Sequence, residues 1–324
     1  MGVFTQLGSA ELGEVAGAFE LGAVQRFAAI AAGTINTNFE LVTDRGRYFA
    51  RVNEGKAEVD VGWEARLVAA LAAGGVVTPP PMIARDGRPY APLANAHSKW
   101  VSVFPWRGGK HLAPTEVTPE RAAQLGAALA QLHLVGLELP HGWRRGSIYD
   151  HDHLVHRYDR FSCQSDPALA KASAILGDEL AAASDASAVR RRATQGIIHG
   201  DLFRDNVLWE AGEVTAILDF EQASGGSLAY DLAVCINDWC WTGTPDIALA
   251  RALLDGYQRI RRLPAVDREA LPIEVRAAAT RFTITRITDV YLARVPNPEK
   301  DFRAFLARVE AWRGPALGQL SSVL

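Results

Sequence analysis

Cysteine is scarce in this chain of 324 residues. Cys163, Cys235 and Cys240 are an odd number, and no two form a C-x-x-C pair. This argues against a disulfide framework or a cysteine-built zinc site and fits a reducing cytosol. Cys235 and Cys240 lie in an apolar stretch and read as small core residues. A dominant charge is missing too: 34 Lys and Arg against 37 Asp and Glu leave a formal net charge of −3. That balance offers no electrostatic basis for binding nucleic acid or an anionic membrane surface. No uninterrupted apolar run is long enough for a membrane span. The start, Met1-Gly2-Val3-Phe4-Thr5-Gln6, has no basic segment leading into an apolar one. No signal peptide is therefore expected, and a cytoplasmic location is. Internal repeats, low-complexity tracts and long linkers are also absent. What remains is an ordinary globular composition, 48% hydrophobic and 22% charged, in a chain long enough for two lobes.

The first hundred residues read as mixed α/β. Ala23 to Ala29 and Asn38 to Val42 look like strands, and Arg47 to Val52, rich in aromatic and β-branched residues, like a third. Val59 to Ala73 switches to helical period, with Trp63, Leu67, Ala70 and Leu71 on one face. Gly74-Gly75 ends that helix and Pro79-Pro80-Pro81 prevents another. Arg88 to Ala91 and Trp100 to Phe104 read as a strand pair. After Pro105 the character changes. Thr118 suits an N-cap, Pro119 the first helical position and Glu120 the first turn. Ala122, Leu125, Leu129 and Leu132 then form an apolar stripe. Further helices are expected at Ala168–Ala183, Ala229–Cys240, Ile247–Arg261 and Ile273–Leu292. One β-rich island interrupts them, at Ile197–His199, Asn206–Trp209 and Val214–Asp219. The expected fold class is α+β, with a small antiparallel-sheet N-lobe over 1–105 and a larger, mainly helical C-lobe over 106–324.

Transfer of a phosphoryl group from ATP needs a group that orients the attacking hydroxyl and takes its proton. It also needs oxygen ligands for Mg²⁺, a cation near the phosphates and a loop over them. Asp201 is the candidate base, projecting from a turn after the strand that ends at His199. Asn206 and Asp219 are hard oxygen ligands of the kind Mg²⁺ prefers. Taken singly, an Asp on a turn is a turn residue and an Asn a cap. The ordered set His-x-Asp, four residues, Asn, then an Asp closing an apolar strand is far more specific.

His199 to Leu208, followed by Ile217-Leu218-Asp219-Phe220-Glu221, resembles the catalytic loop and metal-binding Asp of the aminoglycoside-phosphotransferase-like kinases. These are distant relatives of the protein kinases. Within them, Phe203-Arg204-Asp205-Asn206, Ala229-Tyr230-Asp231-Leu232-Ala233, Asn237-Asp238-Trp239-Cys240, Gly33 to Asn38 and Arg281 to Arg286 resemble the homoserine kinases. The resemblance implies a two-lobed protein-kinase-like fold with ATP and Mg²⁺ as cofactors. It implies a phosphate loop at Gly33, Thr34, Asn36 and Asn38, a segment that alone reads as a hairpin turn. It also implies a Lys on the third strand, where this chain has Arg51, a bulkier and forked cation. Glu64 is the expected helix partner, with Glu58 second and Lys56 a substitute cation. Ser102 and Phe104 would border the adenine, together with Trp100. His199 and Asp231 would support the loop.

Homoserine carries an ammonium, a carboxylate and a hydroxyl, so its site needs an Arg and an acid. Arg204, Arg281 and Arg286 are candidates for the carboxylate, Asp238 and Glu221 for the ammonium. Trp239, with Trp241, keeps open an aromatic cage for choline. From Arg276 to Arg294 there are four Arg and one Asp, which disfavours a polycationic aminoglycoside. The expected activity is thus phosphorylation of a small hydroxyl amino acid, homoserine first. Hydroxylysine, choline or an aminoglycoside are alternatives within the class, and an inactive nucleotide-binding regulator is one outside it.

Overall fold

The computed structural model describes residues 5–30, 36–93, 99–295 and 297–324. They form two compact units. The first runs to Gly109 and takes in Thr215–Glu221; the second comprises Lys110–Val214 and Gln222–Leu324.

In the first unit, α1 (Ser9–Ala18) precedes β1 (Val24–Ile30), β2 (Thr37–Thr43) and β3 (Gly46–Asn53). Then come α2 (Glu58–Ala73), β4 (Ala91–Pro92) and β5 (Trp100–Pro105). The five strands make one antiparallel sheet of order β1-β2-β3-β5-β4. Along β2 the residues Thr37, Phe39, Leu41 and Thr43 are buried and the intervening ones half-buried, the period-2 signature of a one-faced strand. That face packs with Leu12 and Val15 of α1, with Phe19 just after it, and with Ala50, Val52, Val101 and Val103. β4 is shorter than the expected strand from Arg88. Arg88 is held in a turn instead: its N–H donates to Asp86 Oδ1 (3.0 Å) and its carbonyl accepts from Ala84 (2.8 Å).

The second unit is mainly helical. Its elements are α3 (Pro119–Glu138), α4 (His151–Ser162), α5 (Pro167–Asp185), α6 (Ser187–Arg192), β6 (Gln195–Ile198) and β7 (Val207–Glu210). The chain runs through β8 (Glu213–Ile217), most of which belongs to the first unit, and β9 (Ser224–Ser227), α7 (Leu228–Trp239), α8 (Ile247–Ile260), α9 (Ala265–Arg286), α10 (Phe302–Trp312) and α11 (Ala316–Ser321) complete the second. The Thr118 hydroxyl accepts the Arg121 N–H at 3.3 Å and starts α3. α3 and α8 meet backbone to backbone. A Cβ on Gly126 would lie 2.0 Å from the Leu253 carbonyl, and one on Gly256 1.9 Å from that of Ala123. β9 has no strand composition, yet it pairs with β6, Ile198 opposite Ser224. A Cβ on Gly226 would sit 2.6 Å from Ile198 Cδ1, so glycine is what admits this pairing. α9 starts before the expected Ile273, carries Pro272 inside it, and passes after Arg286 into a π turn at Ile287–Tyr291.

Candidate active site

In the second unit, β6 delivers the chain to a tight loop. Gly200 has φ +77° and a Cβ there would meet the Gln222 carbonyl at 3.1 Å, so glycine is required before Asp201. The loop backbone is anchored from below. Asp231 on α7 accepts the N–H of His199 (2.6 Å) and of Gly200 (2.7 Å). The same carboxylate faces His133 Nε2 of α3 at 3.1 Å, and His133 Nδ1 lies 2.7 Å from the Tyr257 hydroxyl. Arg261 donates to Tyr257 (3.0 Å) and to Asp267 (3.1 Å), and Asp267 accepts the Thr194 N–H at 2.7 Å. Burial lowers the His133 pKa against the pull of Asp231, so its ring is neutral. Asp231 can only accept, which assigns the proton to Nε2 and leaves Nδ1 to receive the Tyr257 hydroxyl.

The Asp201 carbonyl accepts the Asn206 side-chain amide at 2.8 Å, which closes the loop on itself and leaves the Asn206 oxygen for other use. The Asp201 carboxylate is 3.5 Å from Arg281 Nη1. Arg281 is 3% exposed, with the Tyr149 ring centroid 4.0 Å and the Phe282 centroid 3.8 Å from its guanidinium carbon. It also donates to Gln222 at 3.1 Å.

Three expected acceptor residues are committed elsewhere. Arg204 clasps both oxygens of Asp238, at 3.0 Å each, and its N–H adds a bond of 2.9 Å. The charge of Asp238 is thereby met within the loop's own framework and is not free for an ammonium. Trp239 is 1% exposed and its indole N–H donates to the Leu202 carbonyl at 2.9 Å. It is a prop under the loop, and a choline cage using it is corrected. Trp241 instead lies 4.5 Å from the Arg308 guanidinium carbon. Arg286 ends α9, with its guanidinium 4.3 Å from the Phe305 ring centroid.

The first unit holds a separate charge cluster. Arg51 on β3 pairs with Glu64 on α2, and its Nη1 is 3.6 Å from Asp219. Lys56 bridges Glu64 at 3.0 Å and Glu221 at 2.9 Å. Arg51 and Lys56, alternatives from the sequence, therefore converge on one carboxylate. Glu58 points away, to Arg88 at 2.9 Å. Burial would raise the Glu64 pKa, but the two cations overcome it and hold the carboxyl at about 2. Burial likewise opposes the charge on Arg51, and Glu64, Asp219 and Glu221 raise its pKa regardless. Glu221 also accepts the Asn36 amide at 2.8 Å, so it too is occupied rather than open to an ammonium. Asp219 adopts φ +60°, a left-handed conformation that costs an Asp less than most residues and recurs at functional positions.

Gly33 and Thr34 lie outside the described residues. Asn38 stands on β2 opposite Arg51. Ser102 is opposite Arg51 on the other side, its hydroxyl accepting Asn53 Nδ2 at 3.1 Å. Phe104 is 5.6 Å below the Arg51 guanidinium, while Trp100 packs edge-on to Tyr90. Sequence reasoning missed His133 and Tyr257. His133 falls on the buried stripe of α3, one after Leu132, and a histidine on such a stripe was the available signal.

A five-stranded antiparallel sheet together with a larger, mainly helical part is the architecture of the protein-kinase-like phosphotransferases. An amicoumacin kinase solved with AMP-PNP and Ca²⁺ superposes with a TM-score of 0.74 at 14% identity, over 95% of this chain and 94% of its own. Residues 26–263 match the phosphotransferase enzyme family, and the chain belongs to it. It is 34% identical to the homoserine kinase of Gluconacetobacter diazotrophicus over 294 residues, 89% of each protein. It is 31% identical to that of Parvibaculum lavamentivorans over 336 aligned positions, 98% of this chain and 97% of the relative. The protein is a small-molecule kinase. Among the described residues, no helix is long and apolar enough to cross a membrane.

Proposed function

We propose that the protein transfers the γ-phosphoryl group of ATP to the hydroxyl of L-homoserine, forming O-phospho-L-homoserine for threonine synthesis in the cytoplasm. The observation that carries this reading is the end-to-end similarity to homoserine kinases. The loop around Asp201 supports it. Asp201 orients the acceptor hydroxyl and receives its proton as the oxygen attacks the γ-phosphorus. The bond to the β–γ bridging oxygen breaks and ADP departs. Arg281 fixes the Asp201 carboxylate in place, and Asp231 with His199 holds the backbone beneath it. In the first unit, which we assign to the nucleotide, Arg51 set by Glu64 takes the phosphates. Gly33, Thr34, Asn36 and Asn38 supply the covering loop, and Ser102 and Phe104 border the base.

The residues fit a divalent cation. Around Arg51, two cations, Arg51 and Lys56, face three carboxylates, Glu64, Asp219 and Glu221, an excess of negative charge. No group of three acidic, His or Cys side chains makes a closed metal cage among the described residues. That suits Mg²⁺, which takes one or two protein oxygens and completes its shell with phosphates and water. Asn206 and Asp219 are the assigned ligands; bound there, Mg²⁺ would neutralise charge on the phosphates.

A screen of ADP release over L-homoserine, hydroxylysine, choline, ethanolamine and an aminoglycoside tests the reading. Homoserine is expected to give the highest kcat/KM, by about tenfold or more over each alternative. No stimulation by homoserine removes it as the acceptor.

A further inference from the structure

Phe203, the loop residue two past Asp201, packs against Phe282 and Phe305, and the guanidinium groups of Arg281, Arg286 and Arg308 lie over those two rings, with Arg204 next to Phe203 in the chain. Two of these arginines are spent, Arg204 on Asp238 and Arg281 on Asp201 and Gln222. Arg286 and Arg308 are different. Among the described residues neither forms an ion pair with a carboxylate. Both guanidinium carbons lie over one ring, that of Phe305, at 4.3 and 4.5 Å from its centroid. Phe305 in turn stacks on Phe203 with centroids 5.8 Å apart.

Arg308 is 7% exposed. Its Nε donates to the Asn237 carbonyl and its Nη1 to that of Ala304, both at 2.6 Å. Arg286 makes one bond, to the Asp301 carbonyl at 3.3 Å. The Asp301 carboxylate is not its counter-ion, being the N-cap of α10 and 3.3 Å from Arg303. Two like charges thus share an aromatic shelf beside the catalytic loop. The ring's attraction for each cation is modest, about 0.5–2 kcal/mol, and does not replace an anion. Burial lowers the Arg286 pKa against the opposing pull of Asp238, Asp201, Asp205 and Asp301. Burial, opposed by Asp238 and reinforced by Arg286 and Arg204, brings Arg308 to about 10. Carboxylates lie nearby, but among the described residues none is in ion-pair contact with either guanidinium. The backbone changes at the same point, since α9 gives way to a π turn directly after Arg286, and such turns are common at functional positions.

We propose that Arg286, backed by Arg308, is the receptor for a carboxylate carried by the phosphoryl acceptor. The subsite would make the enzyme select an amino-acid alcohol over the same molecule without its carboxylate. A carboxylate offers two oxygens to a planar guanidinium and supplies the missing ion-pair contact. This rests on the acceptor reading above and narrows it: of the arginines near the loop, Arg281 serves Asp201 and Arg286 serves the substrate.

The test compares L-homoserine with 3-aminopropan-1-ol, its decarboxylated analogue, as acceptors for the wild type, Arg286→Gln, Arg286→Lys and Arg308→Lys. The wild type should strongly prefer homoserine. Arg286→Gln should lose about 100-fold in kcat/KM toward homoserine, mostly through KM, as expected for one lost charged contact. Its loss toward aminopropanol should be much smaller, so the selectivity ratio collapses. Arg286→Lys, which keeps charge without the fork, should fall between, and Arg308→Lys should show a weaker loss of the same kind. Equal losses toward both acceptors in the Arg286 variants overturn the subsite. A wild type that uses both acceptors equally also overturns it while leaving the homoserine activity standing. A wild type that uses aminopropanol and not homoserine overturns the amino-acid reading itself.

Discussion

The two units handle charge in opposite ways. In the sheet unit the candidate charges stand in direct contact with one another: Arg51 with Glu64 and Asp219, Lys56 with Glu64 and Glu221. The helical unit holds the loop around Asp201 with a buried chain of hydrogen bonds that passes through a neutral histidine, and among the described residues it leaves Arg286 and Arg308 without a carboxylate in ion-pair contact. Matched ions lose little when the ligand is absent, because each desolvated charge has its partner. An unmatched cation is stabilised only when a ligand arrives. The difference separates a framework that is set in advance from a pocket whose electrostatics are completed by substrate.

The largest expected effect lies in the helical unit. Asp201→Ala should lower kcat by about 1,000-fold or more while nucleotide affinity, measured by calorimetry, stays near that of the wild type. Near-normal turnover in this variant would remove Asp201 from proton transfer and with it the division of labour between the units.

A smaller effect belongs to the sheet unit and is pH-dependent. Glu64 titrates near 2 in the folded protein, against an ordinary 4.5. Its charge therefore contributes stability that is complete above about pH 4.5 and is lost as pH falls toward 2. Glu64→Gln should melt below the wild type at pH 7, and the gap should close over that acid window. A gap that stays constant from pH 7 to the acid limit would mean that the Arg51–Glu64–Lys56 cluster does not act through charge. Lower turnover should accompany it, because Arg51 loses its fixed position.

The smallest effect probes the relay beneath the loop. Tyr257→Phe removes the hydroxyl that His133 Nδ1 accepts. We expect kcat to fall by a few-fold to about tenfold, in line with one lost buried hydrogen bond of roughly 1 kcal/mol, with both KM values nearly unchanged. The His133 ring, followed by NMR, should keep its proton on Nε2 opposite Asp231 while the Nδ1 resonance shifts on losing its donor. An unchanged kcat would show that Asp231 alone fixes the loop.

Much of the site was legible because it is written in a short stretch of chain. Asp201, Asn206 and Gly200 lie within a few residues of one another, and local spacing carries their geometry. The strands β2 and β3 were legible from period-2 patterning, and α3 from its cap and stripe. β9 was not, since Ser224-Gly225-Gly226-Ser227 has no strand propensity and pairs because Ile198 lies across it. Trp239 was misplaced for a similar reason. An aromatic beside an acid reads as a binding wall until its indole is seen bonded under Leu202.

By itself, then, the sequence determined the class of chemistry and the alternation of strand-rich and helical segments, and it marked out the candidate loop around Asp201, all readings set by neighbours along the chain. Only the tertiary structure decided which charges are spent. Arg204 and Asp238 are 34 residues apart and His133 and Asp231 are 98 apart. Whether a charge is neutralised depends on distances of a few ångströms between such partners, and on burial that strengthens those contacts. Spacing along the chain does not encode either, so the pairing of Arg204 and the openness of Arg286 emerge only when the helices pack.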